Sequence, residues 1–330
     1  KFIFNEEVPK RDLINIVGSL PVFSKKYYEQ NNIDFEESTL TPGIGSGPYV
    51  LQTLDVGKKI IYSKNNNYWG KDLPINRGRY NFDSFRIEYF ADYNSAFEGF
   101  KSGDYTFRNE ASSKIWATAY DFPALTKGWV NKTTIKDGTL ASGQSFVFNL
   151  RKQKFQDIRV RKAIGLMFNF EWSNKTLFYG LYERINSFWD NSDLSASGMP
   201  SPNELEILNM LEDYLDPVNF SDPVFTFPKS STKQLDRKSL RSASVLLDSA
   251  GWLIGNDGLR RNVSGETLDV EILNDSQAFD RIINPYVANL RKLGVNASNV
   301  KIDNAQMTDR KRNFDFDMLV GFLSTQLTPG

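Results

Sequence analysis

Carboxylate side chains are the groups in this sequence best placed for acid–base chemistry. Asp315 and Asp317 are two residues apart in a predicted strand, so they share one face, and Glu36 and Glu37 stand side by side in a predicted loop. Two carboxylates about 5–10 Å apart across a cleft can act as an acid and its partner in hydrolysis. A solvent-exposed strand face or loop explains the same residues, so a carboxylate-pair hydrolase stays an alternative.

Most other catalytic chemistries are excluded by composition. The 330 residues contain no His and no Cys. Serine–histidine and cysteine–histidine catalysis within the chain, thiolate nucleophiles, disulfides and zinc sites built from His or Cys are therefore impossible. Carboxylate pairs, Lys Schiff bases, Tyr and all-oxygen metal sites remain. The composition favours binding over catalysis, and we expect no metal and no cofactor.

The sequence gives little support for a phosphate or nucleic-acid ligand. The glycine-rich segment Gly43–Tyr49 leads through Pro48 into a predicted strand rather than a helix, and no Lys-Ser/Thr pair follows it, which predicts a tight turn. Lys and Arg number 40 against 40 Asp and Glu, so the net charge is zero. Because nucleic-acid binding relies on an excess of positive charge, we expect no nucleic-acid partner.

Aromatic residues outside the predicted helical stripes are a more informative group. Most aromatic side chains belong to hydrophobic cores, but together these residues are suited to lining a cleft that holds an amphipathic ligand. Those in or beside predicted loops are Trp116, Tyr120, Phe122, Trp172, Phe178, Tyr179, Tyr182 and Trp189.

Strands and helices are predicted to alternate along the chain, which indicates an α/β fold. Alternating apolar residues predict strands at 85–90, 145–150, 268–273 and 316–322. Apolar residues at helical spacing predict helices that end at Gly103, Gly251 and Gly294, and a helix that begins after Asp157. Surface loops are predicted at 190–202 and 216–233. The length suits about two domains.

No segment is predicted to span a membrane or to direct secretion. The apolar run Met318–Leu323 is far shorter than the roughly 18 residues of a membrane helix. Lys1–Asn5 lacks the charged start, apolar middle and small-residue cleavage site of a secretory signal. We interpret the chain as a mature fragment or as one piece of a longer protein.

Several motifs together resemble those of the family 5 bacterial extracellular solute-binding proteins, the peptide and nickel receptors of ABC importers. Gly45-Ser46-Gly47-Pro48-Tyr49 and then Asn67-Tyr68-Trp69-Gly70 are similar to the family's G-T-G-P-Y … N-x-x-Y-W-G signature. The segments 96–105, 155–164, 246–252 and 316–322 resemble further family motifs in the same order. Segments 77–83, 116–123 and 196–202 look most like the YejA-type subgroup, which serves an importer of peptides and of peptide antibiotics such as microcin C.

This resemblance implies a two-lobed periplasmic binding protein fold of type II, similar to cluster C, with lobe I incomplete. It places residues 1–143 in part of lobe I, residues 144–318 in lobe II, and residues 319–330 in a hinge crossover that returns to lobe I. It also implies a monomeric periplasmic receptor that hands its ligand to an inner-membrane ABC permease. Peptides in such receptors lie extended in a cleft between the lobes and bond to strand edges through their main chains.

The resemblance also implies ligand-binding residues. Phe322, Ser324, Thr325 and Gln326 are expected near the hinge, with Trp116, Tyr120 and Trp172 as cleft aromatics and Asn149 at the first crossover strand. Related dipeptide and oligopeptide receptors carry an Asp that holds the ligand amine shortly after a Gly-Trp pair. Here Thr325 stands in that place and Phe322 replaces the Trp, so this anchor is absent.

Three functions therefore remain open. The favoured one is a receptor that binds oligopeptides without catalysis. The second is a non-functional or split fragment of such a receptor, with the family fold but an incomplete cleft. The third is the carboxylate-pair hydrolase. Turnover separates the first from the third, because a receptor leaves its peptide intact.

Overall fold

The computed structural model describes residues 2–4, 12–37, 39–136, 138–141 and 143–324. The described residues divide into two compact units, one up to Asn109 and the other from Glu110 onward. The predicted lobe boundary at residues 143 and 144 lies inside the second unit. The assignment of residues to lobes stays a prediction.

The first unit contains a three-stranded antiparallel sheet and short helices. The sheet has the order β1–β2–β3, and the register pairs Leu54 with Ile60 and Ile60 with Ile87. Its elements are α1 (Leu13–Gly18), α2 (Lys25–Gln30), β1 (Tyr49–Asp55), β2 (Lys59–Lys64), a 3₁₀ turn (Pro74–Asn76), β3 (Ser84–Glu88) and α3 (Tyr93–Ser102). Two predictions are confirmed here: the glycine-rich segment leads into a strand, and residues 85–90 supply another.

Capping residues set both ends of α3. The carboxylate of Asp92 accepts hydrogen bonds from the backbone N–H groups of Asn94 and Ser95, and so satisfies donors that the first helical turn leaves free. Gly103 ends the helix with φ +88°, a conformation that glycine adopts at low cost. Phe97 is buried on the inner face. The predicted helix ending at Gly103 is confirmed.

The second unit is a mixed α/β domain. Its helices are α4 (Ser113–Thr118), α5 (Pro123–Thr126), α6 (Ile158–Leu166), α7 (Phe170–Thr176), α8 (Pro202–Asn209), α9 (Val218–Ser221), α10 (Arg237–Ser249), α11 (Gln277–Lys292) and α12 (Asn304–Arg312), with 3₁₀ turns at Gln153–Phe155 and Glu212–Tyr214. Its strands are β4 (Gly143–Phe148), β5 (Leu253–Ile254), β6 (Arg260–Arg261), β7 (Asp269–Asn274), β8 (Asn296–Lys301) and β9 (Met318–Leu323).

A four-stranded sheet with the order β4–β9–β7–β8 organises this unit. β7 runs parallel to β8 and to β9, whereas β4 is antiparallel to β9. The connections β7–α11–β8 and β8–α12–β9 carry the chain across the sheet, because parallel neighbours cannot be joined by a tight turn. The α/β class and the strands predicted at 145–150, 268–273 and 316–322 are thereby confirmed, with ends shifted by one or two residues.

Both faces of this sheet are covered. The larger core lies on one face, where Ile272 and Met318 pack with Ile164 of α6, Leu247 of α10 and Ile283 of α11. The next residues along the same strands, Leu273 and Leu319, point to the opposite face and pack with Met307 of α12. This packing confirms the apolar stripes predicted for α6, α10 and α11.

The structure corrects three sequence predictions. Trp116 lies in α4 and Trp172 in α7, so these residues belong to short helices rather than to loops. Residues 216–233 include α9. β9 begins only at Met318, so Asp315 and Asp317 precede the strand instead of sharing its face. Within the described ranges, no helix is long and apolar enough to cross a membrane.

Candidate functional site

β9 extends beyond its neighbour on one side of the sheet. Its pairing with β7 consists of Ile272 with Met318 and Leu273 with Leu319, and it ends there. Its pairing with β4 continues to the partners of Phe322 and Leu323, which are Gln144 and Gly143. Among the described residues, the last part of β9 therefore has a neighbouring strand on one edge only.

The backbone of Phe322 faces the edge without a strand. The N–H of Asn149 donates to the carbonyl oxygen of Asp317 at 2.9 Å, so Asp317 turns its peptide groups toward β4. Alternate residues of a strand direct these groups to opposite edges, which turns the N–H and C=O of Phe322 away from β4. Among the described residues neither group has a hydrogen-bond partner.

An unpaired strand edge is a binding surface for another extended chain. Its free N–H and C=O groups can add a strand whatever the side chains of that strand are. The Phe322 side chain is 68% exposed, and Ser324, directly after β9, is exposed as well. Thr325 and Gln326, which were also predicted to bind ligand, lie outside the described residues.

Asn149 holds the start of β9 in place. Its side chain is buried, and its Nδ2 donates to the carbonyl oxygens of Phe314 and Phe316 at 2.8 and 2.9 Å. Its Oδ1 accepts from the N–H of Arg151 at 3.2 Å. Both amide hydrogens are thus used within the chain, which favours a positioning role for Asn149 over contact with a ligand.

Replacing Asn149 with Ala is expected to lower the free energy of unfolding of the second unit by about 1–3 kcal/mol, since two hydrogen bonds to the carbonyl oxygens of Phe314 and Phe316 are lost at about 0.5–1.5 kcal/mol each. Urea unfolding measures the change. Asn209→Ala, at an exposed position in α8, is the matched control and should shift stability by less than about 0.5 kcal/mol. Lost ligand binding with unchanged stability would instead make Asn149 a direct ligand contact.

Trp116 and Tyr120 form an aromatic pair around a lysine that sequence reasoning missed. Their ring centroids are 5.6 Å apart, and the Lys132 ammonium lies 4.3 Å from the Trp116 ring and 5.0 Å from the Tyr120 ring. The same ammonium donates to the backbone carbonyl of Trp116 at 2.6 Å. Since aromatic faces attract cations, this arrangement fixes both rings and places a positive charge beside them.

Trp172 belongs to a helix that is tied to the helix of Trp116. Arg281 of α11 donates to the carbonyl oxygen of Leu177, at the end of α7, at 2.6 Å. It also donates to the hydroxyl of Ser113, at the start of α4, at 3.4 Å. Arg281, which sequence reasoning also missed, thereby anchors α4 and α7 to one long helix. Trp116 and Trp172 are each half-buried.

The acids considered for hydrolysis have other partners. Asp317 pairs with Lys154 at 2.8 Å and accepts the N–H of Glu271 at 3.0 Å, while Asp315 pairs with Arg310 at 3.0 Å. These contacts tie down the loop before β9. Glu36 and Glu37 are exposed. No group of three or more acidic side chains in the described part of the chain is arranged to hold a metal ion.

Comparison with known proteins matches the chain to a family. A family model described as bacterial extracellular solute-binding proteins, family 5 middle, matches residues 1–329. A probable peptide-binding protein YejA of Agrobacterium fabrum is 39% identical over 336 residues, covering 100% of this chain and 54% of that protein. An uncharacterized YejA of Escherichia coli K12 is 36% identical, covering 94% of this chain and 51% of that protein.

A solved structure supports the same fold. The oligopeptide-binding protein AppA of Bacillus subtilis, in complex with a nonapeptide, matches with a TM-score of 0.60 and 20% identity over 96% of this chain and 52% of that one. The architecture is thus that of type II periplasmic binding proteins. The present chain spans about half the length of the curated relatives that it matches.

Proposed function

Because the chain belongs to family 5 of the bacterial extracellular solute-binding proteins, we propose that it is the ligand-binding part of a peptide receptor for an ABC importer. The receptor works in the periplasm as a monomer and delivers its ligand to an inner-membrane permease. The ligand is an extended oligopeptide, and the chain binds it without catalysing a reaction.

The free edge of β9 is the observation that carries this proposal. A peptide that lies along Phe322 can exchange main-chain hydrogen bonds with the N–H and C=O that β7 leaves uncovered. Such bonds give affinity without reading side chains, which suits a receptor for peptides of varied sequence. The exposed Phe322 ring and the Ser324 hydroxyl flank this edge, and we assign Thr325 and Gln326 to the same stretch of the site.

The aromatic residues Trp116, Tyr120 and Trp172 supply contacts to apolar parts of the peptide. Each is only half-buried, so ring surface remains for a ligand. Lys132, between Trp116 and Tyr120, is a suitable partner for a peptide carboxylate. The position of Lys132 suits a site without the Asp that holds the ligand amine in related dipeptide and oligopeptide receptors, because the peptide can be anchored through its C-terminal carboxylate instead.

Isothermal titration calorimetry of the chain against a mixed pool of tri- to octapeptides tests the proposal. We expect dissociation constants in the micromolar range or tighter, about −8 kcal/mol. Mass spectrometry of the pool after incubation should show every peptide intact. A melting curve of the same sample establishes that the chain is folded.

The other outcomes identify the alternatives. A chain that melts cooperatively and takes up no peptide would overturn the proposal and favour a fragment whose site needs chain from outside these residues. Shortened peptides would favour the carboxylate-pair hydrolase.

A further inference from the structure

A small groove in the second unit lies between α6, α10 and the segment 225–229. Apolar side chains of Leu166, Phe225 and Leu246 line it, and its volume is about 210 Å³. Phe225 is 51% exposed, so part of its ring is open to solvent beside the groove. The groove lies on other elements than β9 and plays no part in the proposed peptide site.

The rim of the groove carries an excess of positive charge. Lys162, Lys229 and Lys238 line it, and none of the three forms an ion pair with any described residue. Lys162 lies over the Phe225 ring, with its ammonium 4.7 Å from the ring centroid. The acid in the lining is Asp236, so the groove has more positive than negative groups.

The Asp236 carboxylate forms hydrogen bonds at the start of α10 and no ion pair with the three lysines. Its carboxylate accepts the N–H groups of Ser239 at 2.7 Å and Ser231 at 3.0 Å, and so caps the start of α10. Burial opposes its ionisation, but these hydrogen bonds outweigh that effect and lower the pKa of the Asp236 carboxyl to about 2. The three ammonium groups therefore remain open to an external anion.

The segment 225–229, which forms the remaining wall of the groove, packs closely against α6. A Cβ atom on Gly165 would lie 2.6 Å from the ring of Phe227, so this ring sits directly on the helix backbone. Phe227 stacks edge-on against Phe225 at 5.1 Å. The N–H of Ser230 donates to Glu171 at 2.9 Å and fixes the other end of the segment. Packing and hydrogen bonds within the second unit therefore hold the groove in shape.

We propose that this groove docks a short acidic segment of a partner protein, which inserts one large apolar side chain between α6 and α10 while its carboxylates meet the three lysines. The volume is below the roughly 300–1,000 Å³ of most small-molecule sites, but it suits one anchoring side chain. Protein interfaces often depend on such an anchor in a pocket with complementary charges around it.

A defined probe tests the proposal on the folded chain. The probe is a fluorescent decapeptide rich in Asp and Glu with one central benzoylphenylalanine, and binding is measured by fluorescence anisotropy. Irradiation should cross-link it to residues 162–166, 225–229 or 238–246. The double variant Lys162→Glu and Lys238→Glu should weaken binding about tenfold or more, because two attractive rim charges become repulsive.

A matched variant separates this groove from general charge effects. Lys175→Glu with Lys292→Glu makes the same change in net charge at exposed positions of α7 and α11 and should leave the affinity within about twofold. Equal weakening by both double variants, equal binding of a probe with Ser at its centre, or cross-links only near β9 would overturn the proposal. The proposal would also be overturned if the Lys162→Glu and Lys238→Glu variant kept its affinity for the peptide probe but lost binding to phosphatidylglycerol vesicles, since the groove would then bind membranes.

Discussion

Replacing Phe322 with Pro is expected to weaken peptide binding about ten- to a hundredfold. Proline has no N–H, so a peptide carbonyl that would accept from residue 322 is buried without a donor, at about 1–3 kcal/mol. The N–H of Phe322 points away from β4, and the variant therefore removes no hydrogen bond of the β4–β9 ladder. Calorimetry against the same peptide pool measures the change.

Phe322→Ala is the matched control for this prediction. It removes the exposed ring but keeps the backbone N–H, so binding through the main chain should persist with a smaller loss than in the proline variant. Melting temperatures should show that both variants stay folded, since proline is tolerated at a strand edge whose N–H faces solvent. Full binding by a folded Phe322→Pro variant would contradict binding along this edge.

Replacing Arg260 with Met is expected to lower the free energy of unfolding of the second unit by about 2–6 kcal/mol, because the buried carbonyl groups of Leu293 and Trp252 lose their donor at about 1–3 kcal/mol each. The Arg260 side chain is fully buried. It donates to the carbonyl oxygens of Leu293 and Trp252 at 2.8 and 2.6 Å, to Asp248 at 2.7 Å and to the hydroxyl of Ser244 at 2.6 Å. Methionine fills the space but leaves these acceptors without their donor.

Urea unfolding tests this prediction, with Arg241→Met as the control. Arg241 is an exposed residue of the same helix as Asp248, and among the described residues it has no ion pair, so its loss should cost less than about 0.5 kcal/mol. Because folded domains are stable by only about 5–15 kcal/mol, the Arg260 variant should unfold at a much lower urea concentration. Equal midpoints for the two variants would refute the structural role of Arg260.

Sequence patterns predicted the regular elements of the second unit well. Asp157 caps α6 as expected, with its side chain accepting the N–H of Arg159. Gly251 and Gly294 follow α10 and α11 with φ angles of +84° and +90°. α11 continues through Pro285, which a propensity argument disfavours, because Ile283, Tyr286, Val287 and Leu290 bury its inner face.

Sequence patterns could not predict the polar contacts that hold the fold together. Arg260 stands next to Arg261 and looks like one of two solvated residues, yet its partners are carbonyl groups that only the folded chain brings together. Lys132 is 16 residues from Trp116, so nothing local pairs them. The free edge of β9 depends on where the ladder with β7 ends, and strand pairing cannot be read from an apolar pattern.

Asn149 has contacts in the folded chain that its sequence position did not predict. Asn149 was expected near the ligand because the resemblance places it at the first crossover strand. In the folded chain its amide is used by Phe314, Phe316 and Arg151. These hydrogen bonds hold the chain just before β9, the strand that carries Phe322.

A crystal structure of the chain with the tightest-binding peptide from the pool is the most direct test of the central claim. We predict an extended peptide whose main chain exchanges hydrogen bonds of about 2.7–3.2 Å with the N–H and C=O of Phe322. A peptide bound through its side chains alone, or bound elsewhere on the chain with the edge of β9 still free, would contradict the account.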